Sequence, residues 1–249
     1  PQKHLYTITD EENDLKDEKT FGVTSATNII DKPALKFWAV NLAIDFLNEK
    51  LICGQTIDEI QKKDLLEEAR RLHTIRKTKA ADMGTMIHGW VESYAKAKIQ
   101  NKKLPALPIN EQMKNACTAF LKWEKENNVK FHYSEKRIYS RKYRFAGTLD
   151  LEGEVNGQLG ILDIKTSSGI YPEMAYQTSA YLIARSEEEG KVYQDRWIIR
   201  IGKDGTLETK LFKEHVKDFS AFLGALAIYT RQMELKEELL KKVGVEVNK

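Results

Sequence analysis

A mixed α/β fold, a central β-sheet flanked by helices behind a helical N-terminal half, is predicted by three observations. Amphipathic, cap-bounded runs fill most of the first half of the chain. After Asn128 the pattern changes to short strand-like runs punctuated by tight turns. The later elements then follow in the order β-β-β-α-β-β-α, which a single mixed sheet covered by helices accommodates.

The elements can be justified in order. Residues 1–20 are polar and acidic and are expected to form a mobile arm. Asp31-Lys32-Pro33 reads as a helix start with Asp31 as N-cap, running to about Leu47. Asp64 opens a second helix, Leu65 to about Lys77, and a third runs from about Ala80 to Gln100 and carries His88. Lys102 to Pro108 contains two prolines and reads as a linker, followed by a helix over about Glu111–Asn127. Lys130–Ser140, Arg144–Val155 and Gln158–Thr166 are strand-like, and Pro172–Ser186 is helical with Pro172 in its first turn. Asp195–Ile201 and Thr206–Phe212 form a second hairpin around Lys203-Asp204-Gly205, and a long helix spans about Val216–Lys242. The domain reading is an arm over 1–20, a helical region over 21–128, and a core over 129–242 packed with the helical region as one domain.

Composition narrows the class. With 249 residues, the chain can bury an ample core. It has no run of about eighteen apolar residues, so no membrane span is expected. No basic-then-apolar leader opens it, and a cytoplasmic setting is expected. The two cysteines, Cys53 and Cys117, fall in helical-looking stretches and read as buried free thiols. Four clustered cysteines would be needed for an iron–sulfur cluster, so none is expected. A net charge of +3 permits nucleic-acid binding without arguing for it.

The chemistry concentrates in one hairpin. Asn156-Gly157 lies between two apolar runs, the strongest short-range signal for a two-residue turn. Counting outward, Val155 faces Gln158, Glu154 faces Leu159, Asp150 faces Asp163, and Thr148 faces Lys165. Asp163 and Lys165 share a face, with Asp150 beside them. Opposed residues have Cβ atoms about 4.5–5.5 Å apart, and two carboxylates at that spacing repel unless something positive sits between them. A divalent cation on oxygen ligands beside an ammonium satisfies the arrangement. The competing reading is a solvated strand face. Against it, the Asp163 strand is otherwise apolar on both faces (Leu159, Ile161, Leu162, Ile164), where unpaired charge is costly.

The order of motifs carries a resemblance. Gly147-Thr148-Leu149-Asp150, then Asp163-Ile164-Lys165-Thr166-Ser167, then Gln177-x-x-x-Tyr181, resembles the PD-(D/E)XK nuclease superfamily. An upstream Gly84-x-x-x-His88 places the likeness in the RecB-type branch, similar to phage-encoded exonucleases and the mitochondrial genome maintenance exonuclease. Val23-Thr24-Ser25-Ala26-Thr27 and Asp31-Lys32-Pro33-Ala34-Leu35 with Trp38 also resemble the phage proteins. Leu149 stands where the family name has proline, and the iron–sulfur cysteines of some relatives are missing.

The resemblance implies a restriction-endonuclease-like core and a metal-dependent DNA exonuclease of recombination, repair or replication. It implies that Asp150 and Asp163 bind Mg²⁺ or Mn²⁺, with the Ile164 carbonyl as a further ligand. Lys165 would orient or deprotonate the attacking water. His88 would be a ligand, the alternative being an ordinary helical histidine. Glu92, one turn on, is either an adjunct to the ligands or a solvated glutamate. Glu135, on the preceding strand, would hold a second metal or anchor Lys165, or else pairs with Lys136 or Arg137. Gln177 and Tyr181, one turn apart, would position the nucleic-acid backbone.

Arg137, Arg141, Lys142 and Arg144 bracket a turn, with Tyr139 and Tyr143 between them. Positive charge with aromatic platforms suits single-stranded DNA ends as the partner. A second cluster, Arg70, Arg71, Arg76, Lys77 and Lys79, precedes His88. Either cluster could be a solvated face. Trp38, Trp90, Trp123 and Trp197 read as core. The competing functions are an endonuclease on the same core, an inactive nucleic-acid-binding module, and a scaffold.

Overall fold

The computed structural model describes residues 5–10 and 15–242. They form a seven-stranded mixed sheet and six helices. The strands are β1 (Leu5–Asp10), β2 (Leu15–Gly22), β3 (Lys130–Ser140), β4 (Phe145–Val155), β5 (Gln158–Lys165), β6 (Asp195–Ile201) and β7 (Leu207–Phe212). The helices are α1 (Val23–Thr27), α2 (Pro33–Lys50), α3 (Glu59–Ile99), α4 (Glu111–Glu126), α5 (Pro172–Glu189) and α6 (His215–Lys242). No helix among the described residues is long and apolar enough to cross a membrane.

The chain divides into two compact units: residues 31–86, holding α2 and most of α3, and residues 1–30 with 87–249, holding the sheet and the other helices. This division falls inside α3 and puts His88 with the sheet. In the smaller unit no residue of α2 is buried, and Trp38 is 40% exposed rather than core. Cys53 is exposed in a turn rather than buried in a helix, whereas Cys117 is buried as expected.

Three other expectations change. The stretch read as an N-terminal arm contributes β1 and β2, paired antiparallel from Leu5↔Phe21 to Asp10↔Leu15. Residues 1–4 and 11–14 lie outside the described residues. The two helices read over Leu65–Lys77 and Ala80–Gln100 are one continuous α3. Nothing between them breaks a helix: Thr78 and Ala80 are tolerated, and Gly84 and Gly89 each cost only about 1 kcal/mol. Finally, Lys32, not Asp31, occupies the N-cap position of α2.

The sheet runs β1-β2-β4-β5-β6-β7, with β3 along the other side of β4. β3, β4 and β5 form a meander, and β5–α5–β6 is a parallel crossover pairing Gly160↔Asp195 through Lys165↔Arg200. Pro172 at the start of α5 and left-handed Gly190 at its end are the expected helix punctuation. The main core lies between the sheet, α1, α5 and α6, around Phe145, Leu149, Ile161, Tyr181 and Phe222.

Candidate active site

The turn between β4 and β5 is where the sequence puts it. Asn156 (φ 50°) and Gly157 (φ 81°) both take the left-handed region that a two-residue turn requires. The register is also as counted, from Val155↔Gln158 to Leu151↔Leu162. There the ladder stops, one pair short of Asp150 and Asp163. β5 continues on β6, with Asp163↔Ile198, while the start of β4 takes a new neighbour on that edge, Phe21↔Phe145 and Gly22↔Ala146 of β2. Gly147 to Asp150 therefore face a gap in the sheet. The Asp150 side chain bridges it: its Oδ2 accepts a hydrogen bond from Ile164 N at 2.8 Å, replacing a lost ladder bond.

Asp163 is 1% exposed. Lys165 Nζ is in close contact with Asp163 Oδ2, yet off the line of a hydrogen bond, so this buried oxygen has a charge beside it but no aligned donor. Burial raises the Asp163 carboxyl well above the usual range and Asp150 adds to it, while Lys165 opposes. Burial disfavours the Lys165 ammonium, but Asp163, Asp150 and Glu173 outweigh it and hold the ammonium above its ordinary value.

Three neighbours bring further donors. α3 places His88 Nδ1 3.8 Å from Asp150 Oδ2. On β3, Ser134↔Leu151 and Lys136↔Leu149 put Glu135 across from Asp150. Glu135 is held at φ 53°, a left-handed conformation that costs a non-glycine residue about 1–3 kcal/mol in a strand. Its side chain keeps solvent access. Even so, desolvation first, then the charges of Asp150 and Glu92, push its carboxyl up to about 7 against the pull of Lys96. Glu92 itself is ion-paired with Lys96. Among the described residues no three of His, Cys, Asp and Glu stand close enough to complete a metal shell.

α5 supplies the remaining wall. Gln177 Nε2 donates to Tyr181 Oη at 2.8 Å and lies 3.4 Å from Thr24 Oγ1 of α1, a contact that the sequence reading did not foresee. Burial, then Asp163 and Asp150, push the Tyr181 phenol far above its usual range. Gly147 exists for this ring: a Cβ there would lie 2.7 Å from Tyr181 Cε1 and 3.3 Å from Val23 Cγ2. Gly147→Ala should therefore displace Tyr181 and cost about 1–3 kcal/mol, as overpacking does. Urea denaturation checks this; an unchanged midpoint would mean that the ring moves freely.

The basic turn is only partly available. Arg137 is exposed, and Arg141 and Lys142 lie at the surface. Arg144 is ion-paired with Glu18, and its carbonyl accepts from Thr20 Oγ1 at 2.5 Å. Tyr143 packs edge-on against Phe219 (4.9 Å), with Lys142 over its ring, so it belongs to the core margin. Of Arg70, Arg71, Arg76, Lys77 and Lys79, all exposed in the smaller unit, Arg71 pairs with Glu67. Trp123 is buried as expected, while Trp90 stacks on Tyr94 and donates to Ala106 O at 2.9 Å.

No family model and no curated protein matches this chain. Solved structures do. An alkaline exonuclease from Laribacter hongkongensis superposes with a TM-score of 0.39 at 12% identity, over 63% of this chain and 84% of that one. The same enzyme in complex with dAMP gives the same figures. A protein of Eubacterium rectale, whose exonuclease assignment is itself provisional, gives 0.38 at 12% identity over 66% of this chain and 69% of that one. At such identity and superposition these likenesses decide nothing about chemistry, which rests on the side chains above.

Proposed function

We propose that this chain is a metal-dependent deoxyribonuclease that works from DNA ends and prefers single strands, in recombination, repair or replication. The observation that supports it is the convergence of Asp150, Asp163 and Lys165 at the point where the β4–β5 ladder opens. A structural role would keep the ladder closed and the strand apolar.

The donor types suit a hard cation, two carboxylates of which one has a buried oxygen lacking an aligned donor, although no three of the described His, Cys, Asp and Glu side chains stand close enough as placed to complete its shell. Asp150 and Asp163 would hold Mg²⁺ or Mn²⁺, with the Ile164 carbonyl and His88 as further ligands. When bound, such an ion polarises a phosphoryl oxygen and makes water a nucleophile near neutral pH. Lys165 orients the attacking water and offsets charge on the phosphate. Glu135 and Glu92 add negative charge beside the ligands. Gln177 and Tyr181, tied to each other and to Thr24, fix the nucleic-acid backbone. Arg137, Arg141 and Lys142 take phosphates of the incoming strand.

The test is digestion of matched linear single-stranded, linear duplex and circular single-stranded DNA with Mg²⁺ or Mn²⁺. Linear single strands should disappear fastest and EDTA should stop the reaction. Circular DNA cut as fast as linear would make the enzyme an endonuclease. No cleavage of any substrate would leave only a binding module.

A further inference from the structure

The N-terminal strand β1 and the β3–β4 turn line one groove. It has a volume of about 840 Å³ and is bounded by Leu5–Thr9, Arg137–Tyr139, Arg141, Thr148 and Glu188. The groove is open to solvent rather than enclosed. Tyr6 Oη lies 3.3 Å from Thr148 Oγ1. Thr148 is two residues before Asp150 in β4, so strand alternation puts the two side chains on one face. Among the described residues β1 pairs only with β2 and ends the sheet. Among the described residues Glu188 is the one acid in the lining, and its carboxylate is taken by Arg185 Nη1 at 2.7 Å and by Tyr139 N at 3.0 Å. The groove thus presents the exposed Arg137 guanidinium beside aromatic side chains.

We infer that this groove carries the single strand toward Asp150 and that Tyr6 is a positioning residue within it. The inference deepens the nuclease reading and rests on it for its substrate. The Tyr6 ring bears on a base while Thr148 holds its hydroxyl, and Arg137 takes a flanking phosphate. The sequence hides this role, because Tyr6 belongs to a stretch whose composition reads as an arm.

The test uses the full chain in EDTA, so that binding is measured without cleavage. The probe is a fluorescein-labelled oligo(dT) of about 15 nucleotides, followed by anisotropy at several salt concentrations. Losing one stacking contact should weaken binding about 5- to 140-fold in Tyr6→Ala. Tyr6→Phe keeps the ring and should stay within about twofold of the parent. Arg137→Gln, at an exposed position, should lower the slope of log affinity against log salt by about one. A strand containing 5-iododeoxyuridine should photo-crosslink to Tyr6 or Tyr139. Parent-like binding and salt dependence in both Tyr6→Ala and Arg137→Gln would overturn the inference, leaving the groove to an extended peptide. Crosslinks confined to residues 31–86 would overturn it too. If the parent cleaves DNA with Mg²⁺ while these variants bind normally, the groove fails and the nuclease reading stands. If the parent cleaves nothing but binding depends on Tyr6, the nuclease reading fails and the groove stands.

Discussion

Asp163→Asn should reduce cleavage by at least about 10³-fold, and Lys165→Ala should do nearly the same. The magnitude follows from the several kcal/mol that a metal contributes by polarising a phosphoryl oxygen, at about 1.4 kcal/mol per tenfold in rate. Asparagine keeps the shape of Asp163 and removes its charge, so the buried site would lose a proposed cation ligand without a cavity. Lys165 has a second consequence. Its ammonium is the positive charge beside buried Asp163, so Lys165→Ala leaves that carboxylate uncompensated. Lys165→Met, which fills the same space, separates the chemical loss from the loss of stability. Cleavage by either variant within tenfold of the parent, at equal folded fraction by circular dichroism, would remove these residues from the reaction.

The same residues imply a direction for pH dependence. Glu135 titrates at about 7, raised from an ordinary value of 4.5, and Asp163 is raised as well. Because the folded-state value of Glu135 is the higher one, its contribution to stability without metal is complete below about pH 4.5 and is lost as pH rises through about 7. Metal binding needs the ionised forms and releases the protons. Cleavage at limiting Mn²⁺ should therefore climb between pH 6 and 8, and Glu135→Gln should flatten that climb.

Much of the hairpin was legible because it is a local device. Asn156-Gly157 fixes the turn, and counting from it gives the pairing from Val155↔Gln158 to Leu151↔Leu162, one pair short of Asp150 and Asp163, without knowledge of the rest of the chain. Asp195–Ile201 likewise appears over the very residues expected, as one arm of the hairpin around Lys203-Asp204-Gly205. What the sequence hid is non-local. The parting of β4 and β5 depends on β2 taking the other end of β4, and β2 lies more than a hundred residues earlier in a polar stretch. Its strand character comes from pairing with β1 and from Thr20 and Glu18 tying Arg144, not from propensity. Tyr143 shows the opposite failure. Its neighbours Arg141, Lys142 and Arg144 mark a surface turn, but its ring finds Phe219 on α6, a contact that no local pattern announces.

Glu152 and Arg185 illustrate this best, and they carry the largest expected effect on stability. Glu152 shares the strand face of Asp150 by alternation, two residues on, and is only 3% exposed. Arg185 of α5, 1% exposed, donates to it at 2.7 Å and 3.4 Å and also reaches Glu188 at 2.7 Å and Glu189 at 2.9 Å. Its guanidinium lies 5.2 Å from the Tyr133 ring and 5.9 Å from the Tyr193 ring, and Tyr193 Oη donates to Glu152 at 2.9 Å. Burial works against the cation, but Glu152 and Glu188 outweigh it and hold the guanidinium above its ordinary value. Arg185→Ala strips Glu152 of every partner except Tyr193. Breaking such a pair costs about 3–5 kcal/mol, because one buried charge is left behind. For a domain of this size that is a fall in Tm of roughly 6–20 °C. The double variant E152L/R185M removes both charges and should recover most of the loss, since a buried pair replaced by apolar side chains is often neutral. The pair joins the strand of Asp150 to the helix of Gln177 and Tyr181, so Arg185→Ala should also raise KM in cleavage before it unfolds the chain. Thermal denaturation of the three proteins is the measurement. A loss below about 1 kcal/mol in Arg185→Ala would mean that water replaces the guanidinium and that the pair does not hold the helix on the sheet.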